Sequence, residues 1–164
     1  MSVESRFDRV ITSFYEAAAD PEQWANSLSG LTDLLGAFAT TFVLWDLRAQ
    51  RPAFSAITDR YSETALQLYA ERYGALDVSA QVASRQRPKE LVNCASFITE
   101  DHVRRSEYYN DFLIPHGGRY IIGAKLIERD GVVGFIGIHR GLKEGPFDAE
   151  NNHSLRVERI GCAR

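Results

Sequence analysis

A chain of 164 residues, 45% hydrophobic and 25% charged, has the size and balance of one globular domain, and at this length roughly 70% of the unfolded chain's surface can be buried without a metal or disulfide to hold the fold. The formal net charge of -3 provides no electrostatic footprint for a phosphate backbone, so nucleic-acid binding by this chain alone is not expected. No run approaches the ~18 apolar residues of a membrane span, and the mixed charge of Met1 to Arg6 is unlike a signal peptide.

From Phe7 the apolar residues Val10, Ile11, Phe14, Tyr15 and Ala18 follow the spacing of one helix face. Asp20 can cap a second helix, with Pro21 suited to its first position and Gln23 able to close a capping box. Trp24, Leu28, Leu31 and Leu35 continue one face as far as Gly36, a natural stop. The opening therefore reads as a helical hairpin.

After Gly36 the period becomes two, predicting a strand from about Ala37 to Leu47 with Phe38, Thr40, Phe42 and Leu44 on one side and Ala39, Thr41, Val43 and Trp45 on the other. Gln50-Arg51-Pro52 interrupts the pattern, and Ala53 to Ile57 suggests a hairpin partner. Ser62 is placed to cap a helix carrying Ala65, Leu66, Tyr69 and Tyr73, with Gly74 near its end. Pro88 forbids one continuous helix from Asp77 to Phe97, and Thr99 followed by Glu100 and Asp101 starts a helix expected to reach about Leu113. Tyr120 to Glu128 and Val132 to Arg140 are apolar β runs joined by Arg129-Asp130-Gly131, a hairpin signal. Gly123, Gly134 and Gly137 leave thin places in that hairpin, read as bulges or as close approach by a helix or ligand. A last helix is expected from about Asp148. This order predicts an α+β domain, an antiparallel sheet covered by helices, over a doubly wound parallel fold.

The sequence contains no G-x-x-x-x-G-K-S/T, G-x-G-x-x-G or G-x-S-x-G, and His102, His116, His139 and His153 show no metal-ligand spacing. Neither a catalytic constellation nor a metal or other cofactor is expected. Cys94 and Cys162 form no C-x-x-C pair and read as reduced thiols of a cytoplasmic protein. The middle of the chain instead concentrates aromatic and hydrogen-bonding groups: Trp45, Tyr61, Tyr69, Tyr73, Asp77, Tyr108, Tyr109, Phe112 and His116. A small-molecule pocket needs that mixture, since aromatic walls provide contact area and a few polar groups fix orientation. Tyr69, Tyr73 and Asp77 stand at four-residue steps, so they share a face if the helix runs through Gly74, and otherwise Asp77 opens a loop over that face.

Three segments resemble the sensory domains of LuxR-type helix-turn-helix regulators, which have a PAS/GAF-like fold. Ser106-Glu107-Tyr108-Tyr109-Asn110-Asp111-Phe112-Leu113-Ile114-Pro115-His116-Gly117-Gly118 is similar to their s-x-f/y-y-n-d-f-l-x-P-h-G segment. Tyr69 to Asp77 resembles a Y-x-x-x-Y-x-x-x-D-P element, with Val78 in place of the proline, and Arg140 with Gly145 to Glu150 resembles the approach to their last helix. The resemblance implies that Asp77 contacts a ligand amide and that Tyr69 or Tyr73 contacts a carbonyl, as in acyl-homoserine-lactone receptors. Such regulators continue into a DNA-binding module, which is not found before Arg164, and Asn151 to Arg164 lacks the Leu-rich helix of the family.

The expectation is thus one sensory domain over residues 1–164, binding a small organic ligand at Trp45, Tyr61, Tyr69, Tyr73, Asp77, Tyr109 and His116, as a cytoplasmic homodimer without membrane or direct nucleic-acid partners. One alternative is an interaction module without ligand, dimerising through Phe7 to Leu35. Another is a small enzyme such as a GAF-type sulfoxide reductase, which needs clustered cysteines that Cys94 and Cys162 do not provide.

Overall fold

The apolar stripe of the N-terminal segment forms helix α1, Val3–Ala19, and a 3-10 turn over Pro21–Gln23 leads into α2, Trp24–Leu34. Asp20 caps that turn by accepting from the Glu22 N–H. Gln23 reaches the Asp20 carboxylate and not its backbone, so the expected capping box is open. Gly36, at a φ of 55°, ends α2 in a Schellman motif: its own N–H bonds the Asp33 carbonyl and the N–H of Ala37 bonds that of Thr32. The computed structural model describes residues 3–147, so the helix expected from Asp148 lies outside the described residues, together with His153 and Cys162.

Five strands follow in the order β2-β1-β5-β4-β3, every neighbouring pair antiparallel. They are β1, Ala39–Asp46; β2, Arg51–Ile57; β3, Leu91–Asn93; β4, Tyr120–Arg129; and β5, Val132–Arg140. Pro52 is accommodated on the edge strand β2, opposite a register shift between Leu44 and Trp45. Asp130 and Gly131 take φ values of 54° and 83°, the pair of positive angles that a two-residue hairpin turn demands.

The period-two pattern of β1 sorts its side chains between two layers. On one face Phe42 stacks on Trp24 of α2, with ring centroids 4.5 Å apart and planes 3° apart, and Phe14 of α1 meets Trp24 edge-on. Contacts of this kind contribute about 0.5–1.5 kcal/mol beyond their buried area. Thr32 and Thr40, both buried, join α2 to β1 through a hydroxyl pair 2.7 Å apart. The opposite face is covered by α3, Glu63–Glu71; α4, Val78–Arg85; α5, Glu100–Arg105; and a π-helical turn, Tyr108–Leu113. The domain is therefore a helix, sheet, helix sandwich of the α+β class.

Two expected helices are shorter than their sequence patterns suggest. The helix capped by Ser62 stops at Glu71, and a 3-10 turn over Tyr73–Leu76 separates it from α4. The helix capped by Thr99 stops at Arg105, because Ser106 is extended and the Asn110 side-chain amide takes the Val103 and Ser106 carbonyls. The chain then re-enters as the wider π-helical turn, which buries Tyr108, Tyr109, Phe112 and Leu113 together.

Candidate functional site

The helical layer over the second face does not lie flat on the sheet. Between them is a cavity of about 1110 Å³, floored by inward residues such as Thr41, Val43, Trp45, Ile57, Phe135 and Ile121 and roofed by α3, α4 and the π-helical turn. Gly123 and Gly137 face one another across β4 and β5 in the middle of this floor. A Cβ on Gly137 would stand 3.0 Å from Thr41 Oγ1 and 3.1 Å from His139 Nε2, and one on Gly123 would stand 2.8 Å from the Ile136 carbonyl. The missing side chains deepen the cavity where these two strands pair.

The ends of α3 and α4 set the polar part of the wall. Asp77, only 5% exposed, is the N-cap of α4, and its Oδ1 accepts from the Ala80 N–H at 3.0 Å. Its Oδ2 accepts from the hydroxyls of Tyr69 at 3.0 Å and Tyr108 at 3.1 Å. Burial raises the Asp77 carboxyl above its ordinary value, while the Ala80 N–H and the two tyrosine hydroxyls act the other way by stabilising the ionised form. Burial and the Asp77 charge together push the phenols of Tyr69 and Tyr108 well up, so both remain neutral donors. Beside them, the Tyr61 hydroxyl lies 3.0 Å from Nδ1 of His139, whose imidazole burial holds down to about 4.

A second polar point lies farther along the floor. Lys125, 6% exposed, donates to the Ser84 carbonyl at 3.2 Å and to Glu128 Oε2 at 2.6 Å. It ties the last turn of α4 to β4, and Glu128 reaches it across the irregularity in β4 between Lys125 and Ile127.

Of the seven residues singled out in the sequence, the cavity wall includes Trp45, Tyr61, Tyr69 and Asp77. Tyr73, Tyr109 and His116 are not among its lining residues. Tyr73 stacks on Phe112 at 4.8 Å, because α3 ends before it and the 3-10 turn rotates it away from Tyr69. His116 lies against the same ring at 5.1 Å, tilted by 53°. Tyr109 is 1% exposed in the core, and its hydroxyl has no hydrogen-bond partner among the described residues.

The wall also contains Tyr108, His139 and Lys125. For His139 the signal was present, since the alternation of Val133, Phe135 and Gly137 continues to it. Tyr108 and Tyr109 are consecutive in a segment expected as a regular helix, so periodicity did not separate the wall residue from the core residue. Cys94 is fully buried, its sulfur accepting from the Ile121 N–H, and burial pushes its thiol up, which marks a packing residue. Among the described residues no group of His, Cys, Asp and Glu is placed to hold a metal ion, and no helix is long and apolar enough to cross a membrane.

The fold is similar to that of ligand-binding domains from LuxR-family regulators. The ligand-binding domain of VqsR from Pseudomonas aeruginosa superposes with a TM-score of 0.68 at 17% identity, covering 93% of this chain and 88% of that one. The N-acylhomoserine lactone dependent LuxR-family factor CepR2 from Burkholderia cenocepacia gives 0.64 at 18% identity over 94% of this chain and 84% of the other. The GAF domain of a phosphoenolpyruvate-protein phosphotransferase from Coxiella burnetii gives 0.58 at 15% identity, covering 96% and 90%. At such identities the likeness establishes the fold. No protein-family model and no curated sequence matches the chain.

Proposed function

We propose that this chain is the small-molecule-sensing domain of a bacterial transcriptional regulator and acts by binding, without catalysing a reaction. The observation that carries this reading is the Asp77 carboxylate, buried with two tyrosine donors on the wall of an apolar cavity of about 1110 Å³. That volume is slightly above the roughly 300–1,000 Å³ usual for ligand sites, and a few polar groups on an apolar wall are what orient a bound molecule. The same fold in CepR2, described as dependent on N-acylhomoserine lactone, supports a ligand with a polar head and an apolar tail. A ligand bridging floor and roof would favour one packing of α3 and α4 on the sheet, and differential affinity for two such states is sufficient to drive an effector.

Association of two copies in the cytoplasm belongs to the same reading. On α1 the Tyr15 ring is 67% exposed and Phe7 and Ile11 are only half-buried, leaving apolar area that a twofold partner would cover. Sedimentation giving only monomer with and without ligand would remove the dimer and leave the sensing role intact. The sensing role is tested by thermal unfolding with N-octanoylhomoserine lactone and monooctanoylglycerol. A saturable rise in Tm with at least one is expected, and no shift with either argues for the interaction module without ligand.

A further inference from the structure

His139 is on the inward face of β5, next to the Gly123 and Gly137 pair, and Tyr61 holds its Nδ1 at 3.0 Å. Its other nitrogen, Nε2, overhangs the space that a Gly137 side chain would fill and has no hydrogen-bond partner among the described residues. The roles within the Tyr61 pair follow from acid–base chemistry. A phenol is a good donor and a poor acceptor, while an unprotonated imidazole nitrogen is a strong acceptor, so Tyr61 donates to Nδ1. In the neutral ring the proton must then be on Nε2, directed into the cavity. The ring is neutral at physiological pH, because burial holds it at about 4.

We propose that His139 is a specificity-determining residue whose Nε2–H donates to an oxygen acceptor, a carbonyl or ester oxygen, in the head group of the ligand, with Tyr61 as its positioning residue. This deepens the sensing reading and rests on it. A donor at His139 complements the Asp77 group of the wall. Tyr69 and Tyr108 give their protons to Asp77, so their oxygens and the carboxylate face the cavity as acceptors only. A head group with a donor on the Asp77 side and an acceptor on the His139 side satisfies both. Between Asp77 and His139 a carboxylate head would be opposed by the Asp77 charge, so the head group that fits at this point of the wall is a neutral amide or ester.

The test has two independent arms on the full chain. Nitrogen-15 NMR of the histidine rings without ligand should show His139 neutral, with its proton on Nε2, from pH 8 down to about pH 5; a proton on Nδ1, or a charged ring at neutral pH, overturns the proposal. In the second arm N-octanoylhomoserine lactone, monooctanoylglycerol and the oxygen-free probe N-phenylnaphthylamine are titrated into wild type and His139→Phe. A loss of about tenfold in affinity confined to the two oxygen-bearing probes is expected, the scale of one good hydrogen bond. Equal loss for all three, or none, overturns the role of His139 while leaving the cavity a binding site. Failure of every probe to bind wild type removes the sensing reading and this inference together.

Discussion

The hydroxyl of Tyr69 donates to Oδ2 of Asp77 across 3.0 Å, bridging the point where one helix ends and the next begins. The other oxygen of the same carboxylate caps α4 through the Ala80 N–H, and Tyr108 shares Oδ2. Asp77 is therefore a helix cap and a cavity wall group at once. An asparagine has a single acceptor oxygen and cannot serve both sides.

Asp77→Asn is accordingly expected to lower fold stability by about 1–3 kcal/mol, the cost of one unsatisfied buried partner. Asp77→Ala should cost more, about 2–5 kcal/mol, since it removes a cap and strands two buried phenols. Urea denaturation of both variants checks this. An Asp77→Asn protein as stable as wild type would mean that the tyrosine bonds are absent in solution.

The two floor glycines should separate folding from binding. At Gly137 the neighbours of an added Cβ are the movable side chains of Thr41 and His139, whereas at Gly123 the neighbour is the Ile136 carbonyl. Gly137→Ala should change stability by under about 1 kcal/mol yet weaken monooctanoylglycerol binding about fivefold or more. Gly123→Ala should destabilise by about 1–3 kcal/mol through forced backbone movement. Chemical denaturation and a binding titration on each variant decide it, and the reverse order would misplace the cavity floor.

The sheet and its sidedness were legible because a period of two and an Asp-Gly turn are local signals: Thr41, Val43 and Trp45 face the cavity as their alternation required. The register of the site was only partly so. Tyr69, Tyr73 and Asp77 are evenly spaced in sequence, but Tyr73 leaves the wall because α3 gives way to a 3-10 turn. No local rule distinguishes that ending from one more helical turn, since Gly74 permits both. Tyr108 and Tyr109 were ambiguous for a related reason. Which of two adjacent rings meets Asp77 depends on the π-helical turn, and that turn depends on tertiary packing.

His139 gives the acid side of the stability profile a definite sign. Its imidazole is held at about 4 in the fold against 6.5 for the free side chain, so between those values the unfolded chain binds a proton that the folded one does not. Stability contributed by the neutral ring is complete above about pH 6.5 and is lost as pH falls towards 4, by about 3 kcal/mol in all. Asp77 acts oppositely: with its carboxyl raised by burial, the fold retains a proton that the unfolded chain has released, so its contribution falls as pH rises above the ordinary carboxyl value of 3.8. Comparing wild type with His139→Phe isolates the first effect. The difference between their urea midpoints should shift progressively between pH 7 and pH 4, and a constant difference would contradict an imidazole that stays neutral in the fold.

Lys125 and Glu128 should respond unequally to removal. Lys125 is 7% exposed at its side chain and Glu128 51%, so removing the acid leaves a buried ammonium with only the Ser84 carbonyl, while removing the lysine leaves a carboxylate that water can reach. Glu128→Gln is therefore expected to cost more than Lys125→Met, by about 1–3 kcal/mol. Thermal unfolding of the two single variants measures the order. A costlier Lys125→Met would show that the clamp on α4 matters more than the desolvated charge.

If the space between sheet and helices binds a neutral amphiphile, the protein should carry one through purification. Native mass spectrometry of the freshly purified full chain, followed by denaturation and analysis of what is released, tests it most directly. The expected result is a mass excess from one small molecule per chain, released on unfolding, with an amide or ester head and an apolar tail. Asp77→Asn and His139→Phe should retain less of it. Wild-type protein that flies only at its bare mass, and that takes up neither N-octanoylhomoserine lactone nor monooctanoylglycerol when they are supplied, would contradict it.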